Sequence, residues 1–261
     1  MQVRNRRFHQ LRVLQVATAC RLAVGFALIA TLTACTAGAT CLPCSSDAFE
    51  DGTLSALWTV EGSCGSATET GGAFAFSKAT CVGFVLARFS SGSVLCGDFA
   101  IELDYSLSFP APSAAGGSIH GVQLLRADTN ALVGGIERYR QGTSSCVWPI
   151  ADSYKSYTSV PGCPPDAIYA ETSDTSGRFR IARTGSDLVT SYWNAGWVQQ
   201  MSRTVTTTDL FLRLHSGTNG SLSTAHTGTF DNFSLTVSSP PCTVPVRGAL
   251  WSAVKALYRD V

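Results

Sequence analysis

The sequence predicts an all-β domain in which two antiparallel sheets pack face to face as a sandwich, followed by a short C-terminal helix. Apolar and polar residues alternate along many short segments, as they do in strands with one buried face. Glycine, asparagine and aspartate turn signals separate these segments, and no capped helical pattern occurs between residues 47 and 238. Such a series of short strands is typical of sandwiches and barrels, and 261 residues suffice for one large domain of this class.

Residues 1–34 predict an export signal, because a basic start precedes a short apolar run that ends in small residues. The run is too short to span a bilayer. It ends at Leu32, Thr33, Ala34 and Cys35, which resembles the bacterial lipobox and implies that Cys35 is lipidated. The expected location is therefore the bacterial cell envelope, on the outer membrane or cell surface. The alternative is an ordinary cleaved signal with Cys35 as a disulfide partner, and Arg6 and Arg7 fit a twin-arginine signal poorly.

Charge argues against a nucleic-acid partner. The whole chain has a formal net charge of +1, and all five arginines of residues 1–34 are lost with the signal, which leaves a mature charge of −4. No run of like charges occurs in the sequence. A mildly acidic protein lacks the basic surface that attracts phosphate backbones.

The cysteine content predicts a disulfide framework, since an even number of cysteines remains in an exported protein. The candidates are Cys41, Cys44, Cys64, Cys81, Cys96, Cys146, Cys163 and Cys242. Cys64 and Cys81 flank a turn at Gly71 and Gly72, and Cys146 and Cys163 bracket one long loop, but sequence alone leaves the connectivity open. Cys41 and Cys44 have the spacing of a redox pair or half a zinc site, although the settings that those sites require are absent.

The predicted elements follow in chain order after a tether at residues 35–46. Residues 99–109 give the clearest strand, with phenylalanine, isoleucine, leucine and tyrosine at alternate positions. The predicted strands are 56–61, 73–78, 82–89, 99–109, 119–126, 131–140, 166–171, 177–183, 187–194, 210–215 and 232–237. Residues 141–165 break this rhythm and predict a long loop, which is the kind of segment that often carries function.

The C-terminal segment, residues 239–261, begins with a proline-rich linker at Pro240 and Pro241. Its apolar residues from Leu250 to Val261 fall on one helical stripe, which predicts a short amphipathic helix. That helix would either dock on the sandwich or engage an envelope protein through residues 246–261.

Three segments together resemble the concanavalin A-like lectin/glucanase superfamily, including laminin-G-like jelly rolls. They are residues 47–54 with Trp58, residues 177–186 with Tyr192 and Trp197, and residues 229–235. The resemblance covers about 47–237 and implies a jelly-roll sandwich in which the first and last strands are neighbours. It does not fix the function, because this fold carries lectins, glycosidases and adhesive modules.

The enzyme hypothesis rests on Glu102 and Asp104, which match only the first half of the E-x-D-x-x-E strand motif of related glucanases. Ser106 or Leu107 stands where the acid/base would be. Retaining hydrolysis needs two suitably spaced carboxyl groups, one that attacks and one that protonates. The histidines show no metal spacing, so the sequence predicts a protein that is not an enzyme.

Structural calcium is the one cofactor that the sequence suggests. Asp231 shares the parity of Phe233, so in a regular strand its carboxylate would point inward and need a partner. Related carbohydrate-binding sandwiches hold calcium where the first and last strands meet, which implies Asp47, Glu50 and Asp51 as further ligands. The alternatives are a turn cap or an arginine partner for Asp231.

Ligand binding is predicted from aromatic residues that lie near planar polar groups. The candidates are Arg138, Tyr139, Arg140, Trp148, Tyr192, Trp193 and Trp197. The opposing interpretation is that these aromatic side chains pack in the core, as Trp58 is expected to do.

The expected function is therefore an envelope-anchored, non-enzymatic module that binds carbohydrate or another extracellular ligand. The competing hypothesis is a structural lipoprotein that docks other envelope proteins, and a glycoside hydrolase is the third.

Overall fold

The computed structural model describes residues 40–90, 92–113, 115–140, 152–158 and 167–238, and all regular elements in these ranges are β-strands. The predicted C-terminal helix lies outside them. Within the same ranges, no helix has the length and apolar character needed to cross a bilayer.

Seventeen strands are found in the described part of the chain. In order they are β1 (Thr40–Cys41), β2 (Ser45–Asp47), β3 (Trp58–Gly62), β4 (Gly65–Thr70), β5 (Ala73–Lys78), β6 (Gly83–Phe89), β7 (Ser93–Val94), β8 (Phe99–Ser108), β9 (Ser118–Arg126), β10 (Leu132–Arg140), β11 (Asp152–Thr158), β12 (Ala167–Glu171), β13 (Ser176–Thr184), β14 (Asp187–Trp193), β15 (Trp197–Thr204), β16 (Leu210–Thr218) and β17 (His226–Val237).

The strands form two antiparallel sheets that pack as a sandwich. Sheet I has the order β12-β11-β10-β9-β16-β6-β3, and sheet II has the order β15-β14-β13-β8-β17-β5-β4, with β2 also paired to β17. β1 and β7 form a separate parallel pair. The pairing of β2 with β17 confirms that the first and last strands of the sandwich are neighbours.

The core lies between the sheets and follows the alternation seen in the sequence. In β8 every odd-numbered residue from Phe99 to Leu107 is buried, while the even-numbered residues are partly or fully exposed. Trp58 is 5% exposed and packs against Phe74, Phe89 and Phe233, with ring centroids 5.8, 5.1 and 5.2 Å away. Trp58 is thus a core residue, as expected.

Three strands longer than three residues were not predicted, each for a local reason. β4 has the sequence GSATET, and only Ala67 and Glu69 point toward the interior. It therefore lacks the alternating apolar residues from which a strand is predicted. β11 is polar and falls inside the predicted loop 141–165, which is wrong for its residues 152–158. β15 contains a β-bulge opposite Thr190 and Ser191, which breaks the period-two pattern on which strand prediction depends.

Disulfides fix two loops of the sandwich. Cys64 and Cys81 are bonded across the β4–β5 hairpin, the pairing that the turn at Gly71 and Gly72 suggested. Cys41 is bonded to Cys96, and Cys44 is also disulfide-bonded. Cys146, Cys163 and Cys242 lie outside the described residues.

Candidate functional site

Two predicted binding residues, Trp193 and Trp197, form an aromatic pair on the outer face of sheet II. They stand directly opposite each other in the β14–β15 ladder, so their side chains share one face. Their ring centroids are 5.4 Å apart with planes at 86°, and Trp193 is 39% exposed. Ala195, with φ of 52°, lies in the tight turn that brings the two rings together.

Arginines and carboxylates surround this pair. The Arg178 guanidinium lies 5.4 Å from the Trp193 ring centroid and 5.3 Å from that of Trp197. Arg178 donates to Asp104 at 2.8 Å and lies 3.5 Å from Glu102, which also faces Arg180 at 3.6 Å. We call this set the tryptophan surface; its members are Glu102, Asp104, Arg178, Arg180, Trp193 and Trp197.

The other predicted binding residues do not join this surface. Tyr192 points to the opposite side of its strand and stacks on Tyr154, with centroids 4.1 Å apart. Arg138 is fully buried and donates to the carbonyl oxygens of Ser153 and Asp174 at 2.6 and 2.8 Å. β10 directs Arg138 into the core, so Arg138 does not join the tryptophan surface.

Tyr139 and Arg140 lie on sheet I, away from the tryptophan surface. Tyr139 is 5% exposed, and its hydroxyl accepts a hydrogen bond from Asn219 at 3.1 Å. Arg140 pairs with Asp152 at 2.9 Å. Trp148 lies outside the described residues. The six predicted residues that the structure describes thus do not form one site.

A second polar set, which the sequence did not reveal, occupies the outer face of sheet I. Glu137 on β10 is 1% exposed and lies 3.4 Å from the Lys155 ammonium. Tyr157 donates to Glu137 Oε2 at 3.0 Å, and His215 Nε2 lies 3.2 Å from the same oxygen. Gln123 donates in turn to the Tyr157 hydroxyl at 2.8 Å. We call these five residues the glutamate network.

The electrostatics of the glutamate network favour an ionised carboxylate. Burial raises the pKa of Glu137, but attraction to Lys155 and the hydrogen bond to His215 outweigh burial, so the pKa lies below its ordinary value. Burial lowers the pKa of Lys155, and the Glu137 charge more than reverses this effect. Burial also lowers the pKa of His215, which keeps its ring neutral at pH 7. The network is therefore a buried ion pair with neutral neighbours.

Backbone geometry makes room for this network. Gly121 pairs with Glu137 across β9 and β10, and a Cβ built on Gly121 would lie 2.4 Å from the Glu137 Cβ. Only glycine fits beside Glu137 at this position. In a sequence, a charged residue within a strand is normally taken to face solvent, so nothing marked Glu137 as buried. That Gly121 pairs with Glu137 is known only from the strand register in the structure.

The expected calcium ligands are divided between two places. Asp47, Glu50 and Asp51 line one pocket of about 500 Å³, and nearby Glu69 accepts from the Gly52 amide at 2.9 Å. Burial raises the pKa of Glu69, although the Gly52 amide opposes that effect. In the described ranges, no group of three His, Cys, Asp or Glu side chains is arranged to hold a metal ion.

Asp231 does not line that pocket, and its predicted inward orientation is wrong. Asn232 has φ of 49° and forms part of a β-bulge between Asp231 and Ser234. The bulge shifts the parity of β17, so Phe230 and Phe233 both face the core while Asp231 is partly exposed opposite Asp104. These side chains alone do not assemble the expected calcium shell.

No protein-family model matches the sequence, and no curated protein matches it. Solved structures do resemble it. A laminarinase from Flavobacterium sp. UMI-01 has a TM-score of 0.53 at 9% identity, covering 73% of this chain and 98% of the laminarinase. A PL7 alginate lyase from Zobellia galactanivorans has a TM-score of 0.51 at 12% identity, covering 70% and 96%. The CBM2 module of the evolved Dit of Lactobacillus casei phage J-1 has a TM-score of 0.50 at 10% identity, covering 74% and 96%.

These similarities show the fold alone, because identities near ten per cent carry no functional inference. The similar structures include enzymes and a carbohydrate-binding module, so the fold by itself does not decide between catalysis and binding. The described part of the chain is a sandwich of two antiparallel β-sheets, consistent with a jelly roll.

Proposed function

We propose that this protein is a non-enzymatic carbohydrate-binding module that takes a neutral saccharide on the tryptophan surface. The observation that carries the proposal is the Trp193–Trp197 pair, in which Trp193 is exposed and Trp197 partly exposed, bordered by hydrogen-bonding side chains. Sugar rings present C–H faces that pack on indole rings and hydroxyl groups that bond to arginine and carboxylate. Two arginines and two carboxylates balance each other on this surface, which favours an uncharged ligand.

The state of the carboxylates supports binding rather than hydrolysis. Glu102 and Asp104 are both paired with arginines, and the third acid of the glucanase motif is replaced. Glu137 has its pKa held low by Lys155 and His215 despite its burial, whereas a glycosidase proton donor needs a raised pKa. Retaining hydrolysis also needs a partner carboxyl about 5–5.5 Å away. Among the described residues, the groups bonded to Glu137 are a lysine, a tyrosine and a histidine.

We expect Trp197→Ala to weaken glycan binding at least tenfold, about 1.4 kcal/mol, because the stacking surface for the sugar ring is lost. The ligand is first identified on a glycan array, with and without calcium, and its affinity is then measured by calorimetry. Val82→Ala serves as the control, since Val82 is 53% exposed and lies outside the tryptophan surface. Equal affinity of the Trp197 variant, or no binding of any neutral glycan, would overturn the proposal.

The location is a separate proposal, in which lipidated Cys35 anchors the module to the cell envelope. It rests on the basic start, the apolar run and the lipobox-like ending of the signal. In a bacterial host, Cys35→Ala is expected to release the protein from the membrane fraction into the soluble fraction. Membrane retention of that variant would contradict a lipid anchor at Cys35.

A further inference from the structure

A cleft of about 360 Å³ opens on the outer face of sheet I, on the opposite side of the sandwich from the tryptophan surface. Its walls come from β3, β6, β9 and β16 and from the turn after β9. The lining residues are Glu61, Arg88, Leu125, Asn130, Phe211 and Arg213. Nothing in the proposed function uses this cleft.

Arg213 is the main feature of the cleft, because none of the described carboxylates forms a salt bridge with it. Its Nε donates to Gln123 Oε1 at 2.9 Å, and a second guanidinium nitrogen donates to the same oxygen. No carboxylate of the described residues lies within 4 Å of Arg213. Burial lowers the pKa of Arg213, and attraction to Glu61 offsets this effect only in part. An anion in the cleft would offset the remaining cost of burial.

The glutamate network fixes the orientation of Arg213. Gln123 donates its amide nitrogen to Tyr157, which donates to Glu137, so the Gln123 oxygen is left to face Arg213. The guanidinium is therefore positioned before a ligand arrives, and little side-chain entropy remains to be lost on binding.

Arg88 provides a second guanidinium at the more exposed side of the cleft. It pairs with Glu61 at 2.5 Å and lies 5.6 Å from the Phe211 ring centroid. The charged lining is thus two arginines against one glutamate, a net charge of +1. Asn130 adds a neutral amide to this lining.

We propose that this cleft is a second saccharide site, specific for sugars that carry a carboxylate or sulfate group. The anionic group would bind Arg213 and Arg88, since a guanidinium presents paired N–H donors that match two oxygens of either group. The sugar hydroxyls would bond to Glu61 and Asn130. This site goes beyond the proposed function, because it takes an acidic ligand on the other sheet.

Calorimetric titration at low ionic strength tests the proposal on the full mature protein. The probes are a galacturonate trisaccharide, a sulfated disaccharide and a neutral galactose trisaccharide. We expect one acidic probe to bind saturably, with affinity that falls as salt is added, and the probe that binds distinguishes carboxylate from sulfate. The acidic probes report on the cleft and the neutral glycans of the array report on the tryptophan surface, so either proposal can fail alone.

Charge-matched variants locate the binding. Arg213→Gln is expected to weaken the acidic probe at least tenfold, whereas Arg203→Gln removes the same charge from an exposed position on β15 and should change affinity less than twofold. Glu61→Gln is expected to tighten binding, because it removes the one negative charge of the lining. If Arg213→Gln does not fold, the more exposed Arg88→Gln replaces it. Failure of both acidic probes, or equal effects of the Arg213 and Arg203 variants, would overturn the proposal.

Discussion

Glu137→Gln is expected to lower the free energy of unfolding by about 3–5 kcal/mol, because it leaves the Lys155 ammonium buried without a counterion. Gln keeps the shape of the side chain, so the loss reports the charge and not a cavity. Urea denaturation at pH 7 measures it. Glu61→Gln is the matched control, since that carboxylate is 39% exposed and its pair with Arg88 is screened by solvent.

The double variant Glu137→Leu/Lys155→Met separates the pair from its neighbours. Replacing both charges by apolar side chains removes the unpaired ammonium, so the double variant should be more stable than either single substitution. Three tyrosine rings already surround the Lys155 ammonium at 4.9, 5.1 and 5.9 Å, a setting that accepts a methionine. Additive losses in the double-mutant cycle would show that Glu137 and Lys155 act independently, contrary to this account.

The second large effect is expected from acid, through histidines that are buried in the neutral form. Burial lowers the pKa of His120 to about 3, and burial together with the charge of nearby Lys78 lowers that of His226 to about 4. His120 stacks on Phe230 with centroids 4.1 Å apart, and His226 lies 3.1 Å from the Ser216 hydroxyl. Among the described residues, no carboxylate forms a salt bridge with either ring.

The direction of the stability change with pH follows from proton binding to the folded and unfolded states. Below the ordinary histidine pKa near 6.5, the two histidines are protonated in the unfolded chain but stay neutral in the folded protein. The free energy of unfolding therefore decreases as the pH falls from 7. Each of these two histidines should cost about 2 kcal/mol between pH 7 and pH 5, or about 4 kcal/mol together. Urea denaturation at both pH values measures this difference.

His226→Gln tests the assignment, because it should remove about 2 kcal/mol of the pH-dependent loss whatever it does to stability at pH 7. The pH difference is therefore compared within each variant. Unchanged stability of the original protein between pH 7 and pH 5 would contradict the neutral burial of these rings. Glu69 acts in the opposite direction, since its pKa is raised and its protonation favours the folded state.

The sequence predicted those parts of the fold in which one residue pattern reports burial directly. In β8 the two faces differ in polarity at every position, so both the strand and its orientation were predicted correctly. Trp193 and Trp197 are four residues apart on either side of a tight turn, so their proximity could also be predicted from the sequence. Local pattern is sufficient where the strand is regular and one face meets solvent.

The orientation of Asp231 and the glutamate network could not be predicted, because they depend on a β-bulge and on the order and register of strands in the sheet. The extra residue at Asn232 turns the Asp231 side chain to the opposite face of β17 from the one predicted. Alternation cannot predict which face a residue occupies beyond a bulge that the sequence pattern does not show. The glutamate network joins residues of β9, β10, β11 and β16 that are up to 92 positions apart in the chain. Their proximity depends on strand order, which alternation within single strands does not encode.

The Cys41–Cys96 disulfide determines how the sandwich would bear a mechanical load. β2 is paired with β17 through only three residue pairs. A force applied to the chain before β2 would break these pairs one after another. The disulfide diverts tension at Cys41 to Cys96, three residues before β8, the middle strand of sheet II. A force applied to the chain before Cys41 would therefore be shared by β13 and β17, which flank β8, and the short β2 would carry little of the load while the disulfide is intact.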